Sequence, residues 1–479
     1  MRRTQKLTAD FIIKAGAIAL SNNYARENIL KLMEWKIYKD LIIGNPDNRP
    51  KRVQMDKYYM GRALLHSINR AFKRGHLSRK SAEGLFKVFL GNVFFGGFYK
   101  RRLYMEKYGR RPPMFITISP TWACNLHCKG CYAAASEKRA NHLEFDIFDR
   151  IIREAKDLWG SNFFVISGGE PLLYRSQGKT FLDIAEKHSD CYFLMYTNAT
   201  LIDKKMAKRL SELGNITPAV SVEGFKKETD ERRGKGVFEK IMSAMEYMRE
   251  EGVPFGISYT AYRENADILL RDDFWDFYFE EQGAIYAWVF HYMPIGREYT
   301  LSMLPTPEQR LKLFNHIWRL VREKRYFIAD FWNSGTASDG CISGARACGY
   351  FHINWDADVM PCVFIPYSVT NLKELYKNGG NLDDAINTPL FQEIRKWQDE
   401  YYYAKPPDKA GNLLRQCIIR DHYAKIYEII KKTGARGIYK EAEDALQDEE
   451  YRKGLIEYGE IIGKMTEEYW KKVYLGNEK

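Results

Sequence analysis

From residue 115 onward the chain alternates short apolar runs with longer amphipathic stretches. The runs are "FITIS" (115–119), "FFVIS" (163–167), "YFLMYT" (192–197), "PAVSV" (218–222), "FGISYT" (255–260) and "YAWVFHY" (286–292). Continuous apolar runs of this length predict strands buried on both faces, as in a parallel sheet. The stretches between them, such as "EFDIFDRIIREAKDLW" and "FEKIMSAMEYMREEG", repeat apolar residues at helical spacing. Together they predict an α/β fold, a partial (β/α)6 barrel over residues 113–330. In such architectures the reactive groups sit at the C-terminal ends of the strands.

Upstream, residues 1–112 show helical patterning, as in "ARENILKLMEWKIYKDLI", with few alternating runs, and "RRPPMF" (110–115) punctuates the join. Downstream, "GYFHINWDADVMP" places two alternating runs around Asp356, Ala357 and Asp358, the pattern of a β-hairpin. It predicts a small domain over 331–425, followed by C-terminal helices over 426–479.

Charge changes this picture mainly at the N-terminus. Residues 1–113 hold 25 Lys and Arg against 8 Asp and Glu, a balance of +17, which leaves −5 of the chain's +12 for the remainder. The opening 25 residues begin basic and then apolar, but Asp10 and Lys14 interrupt the apolar run and predict no export signal. "LFKVFLGNVFFGGF" (85–98) is too short and too polar for a transmembrane helix. Eight cysteines without an export signal predict a reducing, cytoplasmic setting, where thiols serve as metal ligands more often than as disulfides.

Three of those cysteines lie within "CNLHCKGCYA", just past the first strand: Cys124, Cys128 and Cys131. A closed zinc site takes four protein ligands, and a [4Fe–4S] cluster commonly takes four cysteines. Three thiolates from one loop therefore leave one iron open to another ligand.

With "SGGEP" (167–171) after the second strand, this loop resembles the radical S-adenosylmethionine (radical SAM) superfamily. The resemblance spans about residues 113–425. It implies that the open iron chelates SAM and that an electron from the cluster cleaves the sulfonium to a 5′-deoxyadenosyl radical. Matched residue by residue, it implies that Gly168, Gly169 and Glu170 contact the SAM amine and that Thr197 and Asn198 line the pocket. It further implies that Ser221 and Glu223 face the ribose and that Arg233, or Arg232 by register, pairs with the SAM carboxylate. One departure is Gly130, where many relatives carry an aromatic residue, which leaves open whether Tyr132 takes the adenine-platform role.

Four further cysteines, Cys341, Cys348, Cys362 and Cys417, surround the hairpin. This arrangement resembles the SPASM/twitch extensions and implies one auxiliary [4Fe–4S] cluster; a four-thiolate zinc site is the alternative. Cys191 reads as a core thiol, and the nine histidines form no spaced metal motif.

The cofactor motifs leave the substrate open. The basic segment, with "LFKVFLGNVFFGGFYKRRLY", fits an anionic membrane surface better than nucleic acid and predicts a peripheral position at the inner membrane face. "FHYMPIGREYT" and the cysteine-rich stretch after residue 330 are similar to bacterial membrane-spanning lipid synthases, which implies hydrogen abstraction from acyl chains and carbon–carbon coupling of two tails. The alternatives are a peptide-modifying SPASM/twitch maturase and a metal-stabilised binding protein without catalysis. Any enzyme reading implies a small electron donor such as ferredoxin or flavodoxin.

Overall fold

The computed structural model describes residues 23–476, so most of the opening stretch weighed as an export signal lies outside the described residues. The predicted strands form β1 (Phe115–Ile118), β2 (Phe163–Ile166), β3 (Tyr192–Thr197), β4 (Ile216–Val222), β5 (Gly256–Ala261) and β6 (Ala287–His291). All six are parallel and pair in chain order. Helices such as Phe145–Glu154 and Val237–Glu250 cover the outer face with Phe148, Ile151, Ile241 and Met245. The architecture is the α/β partial barrel that the apolar runs predict.

Two additions extend the sheet. Beyond β6 lies β7 (Ile328–Asp330), also parallel. At the other edge β8 (Tyr350–Ile353) pairs in parallel with β1, Phe115 opposite Tyr350, and β9 (Asp358–Met360) folds back antiparallel onto β8. The hairpin turn needs a left-handed residue, and Ala357 takes it at φ 70°. The hairpin around which the auxiliary cysteines cluster is thus continuous with the barrel sheet.

The curved sheet closes through side chains. Phe331, just past β7, lies 6.3 Å from the Tyr350 ring and 5.7 Å from Phe364, and Trp332 lies 5.1 Å from Phe364.

The N-terminal segment is helical among its described residues, with helices Asn23–Tyr38, Lys51–Lys73 and Phe98–Tyr108. It closes the N-terminal end of the barrel. Ala71 packs in one cluster with Val165, Leu194 and Tyr286. Ile68, Leu85 and Val88 pack with Tyr192, and the Phe89 ring lies 5.8 Å from Phe163. Leu85, Val88 and Phe89 of the apolar stretch expected at a membrane surface therefore form part of this floor. Exposed large apolar side chains of the segment include Leu32, Trp35 and Ile43 before that stretch and Tyr99 and Leu103 within its C-terminal part. No helix among the described residues is long and apolar enough to cross a membrane.

A buried carboxylate locks the segment in place. Asp56 accepts from Arg322 at 2.8 Å, Thr336 Oγ1 at 2.8 Å and Tyr474 Oη at 2.7 Å, joining four distant parts of the chain. Removing one side of such a buried charged network is costly.

His352 gives the fold a pH dependence. Its Nε2 lies 2.7 Å from Ser119 Oγ, its Nδ1 is buried without a partner among the described residues, and burial lowers its pKa to about 3. The unfolded imidazole takes up a proton near pH 6.5 and the native one does not, so the unfolded state binds more protons between those values and stability rises with pH across that window. The contribution is on the order of 5 kcal/mol at the acid end. The denaturant midpoint is expected to fall from pH 7 to pH 4.5, with a shallower fall in His352→Asn. An equal fall in both chains would assign the dependence to other groups.

Candidate active site

The three-cysteine loop sits over the C-terminal mouth of the barrel, locked to the segment after β2. Gly169 N donates to Thr121 O at 2.9 Å, and Glu170 N to Ala123 O at 2.8 Å. Tyr132 Oη lies 2.7 Å from Ser167 Oγ and accepts from Gly168 N at 3.2 Å. Arg297 clasps the loop from above, donating to Cys128 O at 2.6 Å from its side chain and to Cys131 O at 3.0 Å from its backbone.

The sequence-predicted residues divide into those facing the cavity and those behind it. Cys124, Cys128, Cys131, Gly168, Gly169, Thr197, Asn198, Ser221, Arg232 and Arg233 share a cavity of about 290 Å³. Glu170 stands behind it. Its carboxylate accepts from Thr197 Oγ1 at 2.8 Å, Asn198 N at 2.8 Å and Leu172 N at 3.2 Å, tying the ends of β2 and β3 together. Burial raises its pKa to about 7 against those hydrogen bonds.

Glu223 is also set back and fully buried. One oxygen pairs with both Arg232 and Arg233, while the other has no partner among the described residues. Burial opposes the charge on Arg233, but Glu223 and Cys128 hold its pKa above the ordinary value. Arg233 is thus a fixed cation at the cavity wall, the charge a carboxylate ligand needs.

The thiols are arranged for a cationic group. Burial pushes Cys124 up to about 12, helped by Glu170 and the neighbouring thiols, and burial also raises Cys128. Thiols so placed are held as thiolates by bound metal. A single tetrahedral zinc, with bonds of about 2.3 Å, would draw its sulfurs to within ~4 Å of one another. Among the described residues the only donor set that tight is His188, Asp190 and Cys191. There the Lys156 ammonium bridges Asp190 at 3.1 Å and His188 Nδ1 at 3.3 Å, so a cation is already supplied. The wider cysteine triad fits a multi-iron cluster better than one ion.

Sequence reasoning missed the residue opposite Gly130. A Cβ there would lie 2.7 Å from Tyr292 Cε2 and 3.0 Å from Met303 Cε, and Gly130 has φ 63°. Tyr292 lines the same cavity, so an aromatic side chain reaches this position from the end of β6. The only sequence signal was the glycine itself.

Below the mouth, the cavity continues into the lumen. Successive strand residues alternate faces, and the inward positions include Val165, Leu194, Tyr196 and Phe290, with Phe115, Phe163 and Trp288 nearer the floor.

The auxiliary cysteines separate. Cys341, Cys362 and Cys417 line a second cavity of about 230 Å³. Burial raises Cys417 to about 12, with a further upward push from Cys341. Cys348 is exposed at φ 59°, beside Arg111 and Arg101. Cys191 is a buried thiol whose pKa burial raises, in keeping with a core position.

Residues 118–270 match the Radical SAM superfamily. This part of the chain is a radical SAM domain. Over 301 residues the chain is 27% identical to mycofactocin maturase MftC of Mycolicibacterium smegmatis, covering 60% of this chain and 74% of that protein. Over 152 residues it is 33% identical to Fe-coproporphyrin III synthase of Methanosarcina barkeri, 31% of this chain but 37% of that protein. The radical SAM fold is shared with Streptococcus suis SuiB, solved with its precursor peptide SuiA, at a TM-score of 0.53 and 20% identity over 67% of this chain and 74% of that one. The cofactors of the radical SAM domain are a [4Fe–4S] cluster and SAM, and homologues of the SPASM/twitch type carry auxiliary clusters.

Proposed function

We propose that the chain is a radical SAM enzyme that takes a hydrogen atom from an apolar group inserted into the barrel lumen, and that its substrate is a peptide. The observation that carries the chemistry is the cysteine loop locked over a lumen lined by Val165, Leu194, Tyr196 and Phe290. When bound, the cluster and SAM supply an electron and a 5′-deoxyadenosyl radical. This chain's residues then have three tasks. Gly168 and Gly169 let backbone approach the cofactor closely, Arg233 offers a fixed positive charge, and the apolar walls exclude water from the reacting centre. The peptide assignment is supported by MftC, a maturase matched over three-fifths of this chain.

A second reading is an acyl chain as substrate, with coupling of two tails. The extension of the apolar lining from the cysteine loop to Phe163 and Trp288 favours it, because a hydrocarbon chain needs depth without polar partners.

The two are separated by one measurement. Reconstituted enzyme with SAM and reductant is offered peptide and lipid fractions from deuterated cells, and deuterium is sought in 5′-deoxyadenosine by mass spectrometry. Transfer from the peptide fraction is expected. Transfer from the lipid fraction alone would overturn the peptide assignment, and no 5′-deoxyadenosine with either would overturn the enzyme reading.

We also propose that Cys341, Cys362, Cys417 and Cys348 hold a second cluster, Cys348 supplying the fourth thiolate from the exposed turn. The turn is held by hydrogen bonds from Cys348 N to Pro112 O at 3.1 Å and from Gly349 N to Arg346 O at 2.8 Å, so ligation by Cys348 would require its side chain or this turn to rearrange. Cys348→Ala is expected to lower bound iron as Cys362→Ala does. Full iron in Cys348→Ala would leave the cluster with three protein ligands.

A further inference from the structure

Two of the three cysteines lining the second cavity are met by a neutral hydrogen-bond donor. The Tyr350 hydroxyl lies 2.9 Å from Cys362 Sγ, and Phe364 N approaches the same sulfur at 3.4 Å. The Ser343 hydroxyl lies 3.1 Å from Cys341 Sγ. The Trp332 indole N–H, fully buried and without a hydrogen-bond partner among the described residues, stands near Cys417. At the SAM loop the corresponding approaches are longer, 3.8 Å from Asn198 Nδ2 to Cys124 and 4.0 Å from Arg233 to Cys128.

Tyr350 has a second role in the wall. It borders both cavities, and its ring stacks on Phe115 at 5.1 Å with planes 5° apart. The paired register of β1 and β8 fixes that stack, so the hydroxyl cannot leave Cys362 without disturbing the lumen wall.

Hydrogen bonds to cluster sulfurs stabilise the reduced, more negative state and so raise the reduction potential. We propose that Tyr350, with Ser343, is a positioning residue that raises the potential of the auxiliary cluster from within the substrate wall. This rests on the reading that Cys341, Cys362 and Cys417 ligate that cluster.

The test uses the full chain with Cys124, Cys128 and Cys131 all changed to alanine, so that the auxiliary cluster alone is observed. Its midpoint is read by titration monitored with electron paramagnetic resonance. Tyr350→Phe keeps the buried ring and removes the donor. It is expected to shift the reduction equilibrium about tenfold towards the oxidised form, ~59 mV more negative for one electron, with iron content unchanged. Ser343→Ala, away from the Phe115 stack, is expected to shift it in the same direction by less. Unchanged midpoints in both variants would overturn the inference while leaving the ligand assignment standing. Full iron in Cys362→Ala on the same background would instead overturn the ligand assignment, and the inference with it.

Discussion

Gly169→Ala is expected to lower 5′-deoxyadenosine formation at least about a hundredfold while the chain stays folded. A Cβ at this position would lie 2.0 Å from Ala123 O, 2.6 Å from Ala123 C and 2.9 Å from Trp122 O. All three atoms are backbone, so no side chain can rotate away. The strand end and the cysteine loop are joined by the bonds from Gly169 N to Thr121 O and from Glu170 N to Ala123 O, so a methyl group there forces apart the two segments that must converge on one cofactor. Displacements of about 1 Å at a reacting centre cost roughly a hundredfold in rate. The thermal midpoint is expected to move by only a few degrees, because the clash lies in a loop above the sheet and not in the core. Gly178→Ala, in an exposed turn with nothing within 4 Å of the added carbon, is the control for a methyl group away from the cysteine loop, at the cost of left-handed backbone strain at φ 73°. Equal rates in the two variants would show that the loops tolerate separation.

Cys128→Ala is expected to abolish reductive cleavage of SAM and to remove about four irons per chain, while those bound through Cys362 remain. The two losses distinguish the sites. The triad lines the mouth of the lumen, whereas Cys341, Cys362 and Cys417 line the neighbouring cavity behind the Phe331, Tyr350 and Phe364 wall. Iron quantitation with the 5′-deoxyadenosine assay reads both. Residual cleavage by Cys128→Ala would assign the chemistry to another centre.

The barrel strands were legible because strands covered on both faces are mostly apolar, and β1 to β6 therefore appear as short apolar runs broken only by single small polar residues or His291. β7 escaped notice because Ile328–Asp330 is three residues long and ends in a carboxylate that pairs with His291, a cross-strand partner no local pattern reveals. The cysteine loop was legible because convergence from one loop is a matter of spacing. The placement of Glu223 was not: its bonding to Arg232 and Arg233 depends on how the helix Lys226–Arg233 returns over β4. Tyr292 was hidden for the same reason, since it reaches the space beside Gly130 from far along the chain. Spacing also cannot distinguish an inward thiol from an outward one, as Cys362 and Cys348 demonstrate across one hairpin.

The pairing of β8 with β1 carries a consequence for exchanging parts between relatives. The loop bearing Cys124 leaves β1, and the hairpin bearing Cys362 is built on β8, so the two metal-binding regions are spaced by a backbone ladder with Phe115 opposite Tyr350 and Ile118 opposite Ile353. A graft of a foreign C-terminal half would have to preserve that register to the residue. One inserted amino acid before Tyr350 would turn its ring to the outer face and bring Phe351 into the lumen. Recombination across this seam is thus constrained by strand phase, and a donor must place the residue equivalent to Tyr350 opposite the residue equivalent to Phe115.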